Sequence, residues 1–232
     1  MKFLAVITAR AGSKGVPRKN VKLLNGKPLT FYTLDVAREV LGDKDICLST
    51  NDTELIELAV KERNYNVPFK RPEHLATDEA STYEVLLHAI DFYEKRGDYY
   101  DAIILLQPTS PLRTVIHLKE AIHLYKSNEV DMVVSVKEAK SNPYFTLFEE
   151  NSNGFLKQSK PSKFTRRQDC PKVYEFNGAI YVVNVNSLKK SMMSEFSKIN
   201  KYVMDDKYSI DIDSPFDWKM AEIILSQTIH NS

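Results

Sequence analysis

The sequence predicts an α/β fold, a mostly parallel sheet with helices on both faces, built as one domain of 232 residues. Two observations carry this prediction. Apolar runs without periodicity recur at residues 3–8 (FLAVIT), 102–106 (AIILL) and 131–136 (DMVVSV), the pattern of strands covered on both sides. Between them lie longer stretches with apolar residues at helical spacing, and such alternation specifies β-α-β crossovers. Hydrophobic residues make up 43% and charged residues 27% of the chain, a balance that suits a folded domain of this length.

The first strand, residues 3–8, opens onto a glycine-containing basic loop. An amphipathic helix follows near 29–41, where Leu29, Leu34, Val36, Ala37 and Val40 offer a core face. The next strand is about 45–50 (DICLST), and Asn51-Asp52 forms the N-cap region of a helix carrying Leu55, Ile56, Leu58, Ala59 and Val60. Val67-Pro68-Phe69 reads as a brief strand before the polar loop KRPEHLATDEAS. A helix at roughly 80–96, the strand 102–106, a helix at about 115–127 and the strand 131–136 complete the alternating part. After residue 137 the pattern changes. Residues 144–148 (YFTLF) read as a strand, 153–173 is basic and polar, and 179–185 (AIYVVNV) is a further strand. The segment 138–178 has too little apolar area to bury by itself, so it is either an arm that packs on a second copy or a long loop. The sheet resumes before SIDIDSPFDW, and a last helix runs about 215–228.

Bulk properties exclude several classes. A net charge of +1 argues against a protein that coats nucleic acid. Cys47 and Cys170 lie outside any CxxC or Cys/His cluster, which removes disulfide scaffolds and structural zinc. The apolar run in MKFLAVITAR is closed by Arg10, short of a secretory core, and no stretch nears the roughly 20 residues that span a bilayer. A cytoplasmic location with no membrane partner is expected. His74, His88, His117, His123 and His230 lack HExxH spacing, and no GxSxG elbow occurs.

Charge is unevenly placed. The first 34 residues hold Lys2, Arg10, Lys14, Arg18, Lys19, Lys22 and Lys27 and no acid, whereas Asp205, Asp206, Asp211, Asp213 and Asp217 crowd one short segment against Lys207 alone. Phosphate against the first and a cation against the second is one reading; two solvated faces of opposite sign is the plainer one. The loop Ala9–Asn20 follows the first strand, at the sheet edge where ligands bind. Gly12 and Gly15 let N–H groups turn inward, while Arg10, Lys14 and Lys19 neutralise charge, as a triphosphate requires. The loop is neither a Walker A nor a GxGxxG sequence, and a tight turn with basic surface residues also accounts for it.

Asp211 and Asp213, two apart on an extended strand, share a face and can reach one magnesium ion, which favours one or two carboxylates with waters and phosphate. A strand-end aspartate plus a cap before Ser214-Pro215 is the alternative. In Leu106–Arg113 (LQPTSPLR) two prolines hold Gln107, Thr109 and Ser110 extended, and Gln107 offers both a donor and an acceptor to a substrate edge. A strand-terminating loop explains the same residues.

Taken together, ARAGSKGVPRKN, RPEHLATDEAS, LQPTSPLR, FNGAIYV and SIDIDSPFDW resemble, in this order and across nearly the whole chain, the CMP-sialic acid synthetases, or acylneuraminate cytidylyltransferases. The resemblance implies a Rossmann-like sugar-nucleotidyltransferase fold with a mixed sheet, and a homodimer in which an arm, here 138–178, reaches the partner. It implies that Arg10, Ser13, Lys14, Lys19 and Asn20 hold the CTP phosphates and nucleotide, and that Arg71 with Ser81 or Thr82 recognises cytosine and ribose. Gln107, Arg167, Tyr174, Phe176 and Asn177 would meet the sugar, and Asp211 and Asp213 would bind Mg2+. Family members often carry lysine where Phe145 stands and some carry arginine where Glu175 stands; losing two cations should weaken or re-aim recognition of N-acetylneuraminic acid, and legionaminic acid, a related nonulosonate, fits the more apolar pocket at least as well. Legionaminic, pseudaminic and 3-deoxy-manno-octulosonic acids are the alternatives. In the implied reaction the anomeric hydroxyl attacks the α-phosphorus of CTP in line, releasing pyrophosphate, with Asp211, Asp213, Lys19 and Arg10 at the centre. A different class, a nucleic-acid module, would use Lys157, Lys160, Lys163, Arg166, Arg167 and Lys172, among which Phe155 and Phe164 are placed.

Overall fold

The computed structural model describes residues 1–229. Strand β1 (Phe3–Thr8) leads through the basic loop to a short hairpin, β2 (Leu23–Leu24) and β3 (Lys27–Pro28), from which helix α1 (Leu29–Leu41) departs. Then come β4 (Ile46–Ser49), α2 (Thr53–Arg63), α3 (Thr82–Glu94), β5 (Ala102–Leu106), α4 (Val115–Lys126) and β6 (Met132–Glu138). The later part adds a small hairpin, β7 (Phe148–Glu150) and β8 (Leu156–Gln158), then β9 (Tyr174–Asn184), α5 (Val185–Lys190), β10 (Ile199–Val203) and α6 (Pro215–Ile229).

Six strands form one sheet in the order β10-β6-β9-β5-β1-β4. β1 pairs parallel with β4 and β5, and β10 pairs parallel with β6. β9 is antiparallel to both β5 and β6, so it alone among these strands runs against the rest. The sheet is mixed and mostly parallel, as expected.

Alternation along the central strands divides the core. Phe3, Ala5 and Ile7 pack with Phe31 and Leu34 of α1, Leu55 of α2 and Leu118 of α4. Leu4 and Val6 pack on the other side with Leu86, Ala89 and Ile90 of α3 and Leu188 of α5. A third cluster joins Val16 of the basic loop, Leu24, Leu29, Ile212 and, from α6, Trp218 and Ala221. At about 1.5–3 kcal/mol for each large side chain buried, this cluster is strong enough to bind the two charged ends of the chain together.

Three expectations change. Residues 67–69 form no strand: only an isolated bridge joins Thr50 to Lys70, and Pro68 has no N–H for a ladder. Residues 144–147 turn rather than extend, because the Asn142 carbonyl accepts the N–H groups of Phe145, Thr146 and Leu147 and its Oδ1 accepts that of Tyr144. The resumed strand is β10, and residues 209–213, expected as a strand, have no strand pairing. His230 lies outside the described residues. Among the described residues no helix is long and apolar enough to cross a membrane.

Candidate active site

The carboxyl ends of β1 and β5 open onto a cleft of about 400 Å3, lined by Arg10, Ser13, Lys14, Gly15, Lys19 and Asn20, by Gln107, Pro108 and Thr109, and by Asp211 and Asp213. Sequence separation near 190 residues is thus closed in one place. The loop after β1 holds its shape through side chains: Asn20 Nδ2 donates to the Arg10 carbonyl at 2.9 Å, and the Ala11 N–H donates to Asn51 Oδ1 at 2.9 Å. Gly15 presses on the acidic segment so closely that a Cβ there would fall well inside 3.0 Å of the Asp213 carbonyl oxygen. Only glycine fits.

Lys19 ties the two walls. Its Nζ donates to the Ile212 carbonyl at 2.5 Å and meets Asp213 Oδ1 at 3.2 Å. The lysine is buried, while Asp213 stays exposed. Ile212 is fully buried, and its N–H donates to the Thr109 carbonyl at 2.8 Å. An anchored apolar residue between two acids sets both carboxylates on the cleft without a ladder of hydrogen bonds. Asp213 does not cap α6. Ser214 does that work, its Oγ accepting the Asp217 N–H at 3.3 Å, while Asp217 Oδ2 accepts the Ser214 N–H at 2.8 Å and hydroxyl at 2.7 Å, which holds the Asp217 carboxyl below the usual range. Burial lifts the Asp211 carboxyl, and a Thr109 hydrogen bond opposes the shift. Asp211 Oδ1 is buried with no hydrogen-bond partner.

A bulge aims β9 at this point. Between the pairs Val134–Tyr181 and Val136–Phe176 the register shifts, leaving extra residues on β9 to turn out of the ladder. Gly178 sits there at φ +74, where a Cβ would meet Gln107 Oε1 at 2.7 Å and Asp211 Oδ2 at 3.1 Å. Asn177 is buried and spends its amide on structure: Oδ1 accepts the Ser135 hydroxyl at 2.6 Å and Nδ2 donates to Ser209 Oγ at 3.0 Å. Arg113, wholly buried, donates to the Ala179 carbonyl at 2.5 Å and to Thr33 Oγ1 at 2.5 Å, and burial pulls its guanidinium down to about 9.

Two further cavities adjoin. A pocket of about 150 Å3 shares Thr8 and Arg10 with the cleft and adds Arg71, Leu75, Thr77 and Thr82. Arg71 is fixed by Ser49, donating to its Oγ at 3.0 Å and its carbonyl at 2.6 Å, and burial lowers it to about 10. Ser81 instead caps α3, accepting the Glu84 N–H at 3.2 Å. The third cavity, about 560 Å3, shares Asp211 with the cleft and is walled by Lys137, Glu175, Phe176, Asn177, Phe216 and Met220 among others. Asp78 bridges to Arg10 and Lys14, at 2.5 Å each, and these partners, Lys14 first, hold its carboxyl low.

The expected residues therefore divide. Arg10, Ser13, Lys14, Lys19, Asn20, Gln107, Asp211 and Asp213 meet in the cleft, Arg71 and Thr82 beside it, and Phe176 and Asn177 in the third cavity. Arg167 lines a separate cavity with Cys170, Pro171 and Lys172, and Tyr174 lies under Lys201 at 5.0 Å. Sequence reasoning missed Asp78, Arg113 and Lys137, while Thr109, already singled out in LQPTSPLR, lines the cleft as Gln107 does. Among the described residues no group of three or more His, Cys, Asp or Glu side chains is poised to hold a metal unaided. The basic run of the arm is partly neutralised, Arg166 by Asp169 and Lys172 by Glu138.

A model of the family described as cytidylyltransferase matches residues 4–221. The chain is 37% identical over 220 residues to the N-acylneuraminate cytidylyltransferase of Streptococcus agalactiae, covering 94% of this chain and 52% of that protein, so it spans about half the length of this relative. It is 31% identical to the CMP-N,N'-diacetyllegionaminic acid synthase of Legionella pneumophila, covering 97% of each. A solved CMP:2-keto-3-deoxy-manno-octonic acid synthetase, complexed with CTP, superposes with a TM-score of 0.71 at 16% identity, over 98% of this chain and 100% of that one. The likeness establishes a Rossmann-like nucleotidyltransferase fold.

Proposed function

The chain belongs to the cytidylyltransferase family, of the CMP-sialic acid synthetase type, and on that premise we propose that it transfers CMP from CTP to the anomeric hydroxyl of a nonulosonic acid, releasing pyrophosphate. One observation carries the proposal: three cavities run together, Thr8 and Arg10 joining the small pocket to the central cleft and Asp211 joining the cleft to the large one. In this reading base, phosphates and sugar lie in that order, and Asp211 stands where attacking oxygen and phosphorus meet.

Mg2+ belongs to the same proposal, and the residues fit it. Two carboxylates leave room for water and phosphate oxygens in an octahedral shell, and Asp211 Oδ1 is a buried acceptor without a donor. When bound, the ion supplies neutralising charge to the phosphate oxygens and makes a coordinated hydroxyl easier to deprotonate. The chain supplies the rest. Arg10 and Lys14 neutralise the departing pyrophosphate once phosphate displaces Asp78, and Lys19 holds Asp213 in place while adding positive charge. Gln107, beside Gly178 and Asp211, orients the sugar. Arg71 and Thr82 bound the base and ribose.

A homodimer through the 138–178 arm forms part of the proposal, supported by exposed Phe148, Phe155, Leu156 and Phe164 on or beside its hairpin. So does a cytoplasmic setting, supported by Cys47 and Cys170 being buried and unbridged. Legionaminic, pseudaminic or 3-deoxy-manno-octulosonic acid under the same chemistry is the alternative for the sugar.

The test is pyrophosphate release from each of the four nucleoside triphosphates, with magnesium, against a panel of acidic ketoses. CTP alone should support turnover. Asp213→Asn should abolish nearly all of it with an unchanged circular dichroism spectrum, and a wild-type rate in that variant would remove the metal role.

A further inference from the structure

We propose that Ser209 is a positioning residue for the transfer: gripped by Asn177, it clamps the acidic segment to the sheet and so sets where the Asp211 carboxylate lies. The inference rests on the functional reading above and adds a residue to the machinery of that site. Asn177, which the sequence resemblance gives to the sugar, has no amide hydrogen bond left for one. A primary amide offers two donors and two acceptor lone pairs, and the protein takes all four. Oδ1 accepts the Ser135 hydroxyl at 2.6 Å and the Ala179 N–H at 3.2 Å, while Nδ2 donates to Ser209 Oγ at 3.0 Å and to Met204 Sδ at 3.5 Å. Ser135 Oγ also accepts the Ile180 N–H at 2.7 Å, which mends the ladder where β9 bulges. Ser135, Asn177 and Ser209 are all buried, where an unmet polar group is costly.

The acidic segment needs such a grip. Residues 209–213 form no strand, and among the described residues neither the Ile210 nor the Asp211 backbone has a hydrogen-bond partner. Asp211 is therefore placed by what holds its neighbours. Downstream, the buried Ile212 donates its N–H to the Thr109 carbonyl at 2.8 Å. Upstream, Ser209 Oγ accepts from Asn177 and donates to the Asp205 carbonyl at 2.9 Å. At the carboxyl itself Thr109 supplies a hydrogen bond, and Oδ1 has none. Two neighbouring residues of β9 meet this segment: Asn177 holds Ser209, and Gly178 lies so close to Asp211 that a Cβ would stand 3.1 Å from its Oδ2. The same Cβ would meet Gln107 Oε1 at 2.7 Å. The clamp thus acts where Gln107 and Asp211 come together, at the junction of the cleft and the large cavity.

The experiment compares wild type with Ser209→Ala, Ser135→Ala and Tyr65→Phe at equal concentrations of folded protein. Tyr65 is the control, a buried hydroxyl that donates to the Ile46 carbonyl at 2.6 Å and lines no part of the cleft. One readout is kcat for pyrophosphate release from CTP with a saturating acidic ketose. The other is calorimetric CTP affinity with Mg2+ and with EDTA, whose ratio is the gain due to the metal. In Ser209→Ala kcat should fall by between about tenfold and about a hundredfold. The Mg2+ gain should shrink at least about threefold while CTP affinity in EDTA holds, since a carboxylate out of place serves the metal poorly. Loss of stability alone would leave that gain intact, as Tyr65→Phe should. Ser135→Ala frees Asn177 from the sheet side and should show the same two changes, which decides the matter if Ser209→Ala does not fold. An unchanged Mg2+ gain in both serine variants, or equal losses in Tyr65→Phe, overturns the assignment while leaving cytidylyl transfer standing. A wild type that releases no pyrophosphate from CTP with any acidic ketose overturns the functional reading instead, and the Mg2+ gain still decides whether Ser209 places Asp211.

Discussion

Replacing Gly15 by alanine tests whether the basic loop and the acidic segment form one site. The new Cβ would fall inside 3.0 Å of the Asp213 carbonyl oxygen, so one of the two backbones must retreat by about 1 Å. Neither side yields easily: Ile212 is fully buried and bonded to Thr109, and Val16, next to Gly15, is buried in the same cluster. A misplacement near 1 Å costs about a hundredfold in rate, equivalent to about 2.7 kcal/mol of transition-state stabilisation. Pyrophosphate release with CTP and an acidic ketose should fall by that factor, while the main sheet, outside the contact, keeps its circular dichroism signal. Gly12→Ala is the control. Its φ of +82 strains an alanine, yet no heavy atom lies within 4 Å of the added Cβ, so turnover should drop far less. Gly15→Ala with activity within threefold of wild type would refute the apposition.

Asp78→Asn releases Arg10 and Lys14 from their shared anion; the KM for CTP should fall a few-fold, and an increase would mean that Asp78 aids nucleotide binding. Arg113→Met leaves the Gln107 and Ala179 carbonyls without their guanidinium donor, so the melting temperature should drop by roughly 6–12 °C, from about 3 kcal/mol of unmet acceptors. His117 accepts the Thr114 N–H on Nδ1 at 3.2 Å while burial, first among the causes, depresses its pKa below 6.5. The unfolded chain then binds the proton first, so this contribution to stability is present above pH 6.5 and is lost as pH falls toward the folded value. His117→Gln, which keeps an acceptor in the cap, should flatten urea-denaturation stability between pH 7 and 5; an unchanged slope would remove the cap from the account.

The central strands before residue 137 were legible because burial on both faces leaves an unbroken apolar run, as in Phe3–Thr8 and Ala102–Leu106, whereas the two-residue strands of the β2–β3 hairpin are too short to show a pattern and Val67-Pro68-Phe69 forms no strand. The turn at 144–147 was not, since YFTLF carries strand propensity and a single upstream side chain, Asn142, overrides it. The paired aspartates were legible as a spacing, but their cause was different: Ile212, not a ladder, fixes their direction. Asp78 and Lys137 left no trace in spacing. Each is placed by a partner brought close only by tertiary folding, Arg10 from a loop 68 residues away and Glu175 across an antiparallel register.

That difference bears on where specificity resides. The nucleotide half of the cleft is built from the ends of β1 and β5 and from residues anchored in the core, such as Arg71 on Ser49 and Lys19 on Ile212. Moving any of them disturbs buried packing, so this half resists change. The large cavity is walled by the outer end of β6, the start of β9 and one exposed side of α6, where Glu175, Phe176 and Phe216 are substantially open to solvent. Substitutions there cost little in stability but alter the charge and shape of the cavity that the proposed function gives to the sugar. Under the proposed reaction, that division would put the choice among acid acceptors on exposed wall residues such as Glu175, Phe176 and Phe216 rather than on the aspartates.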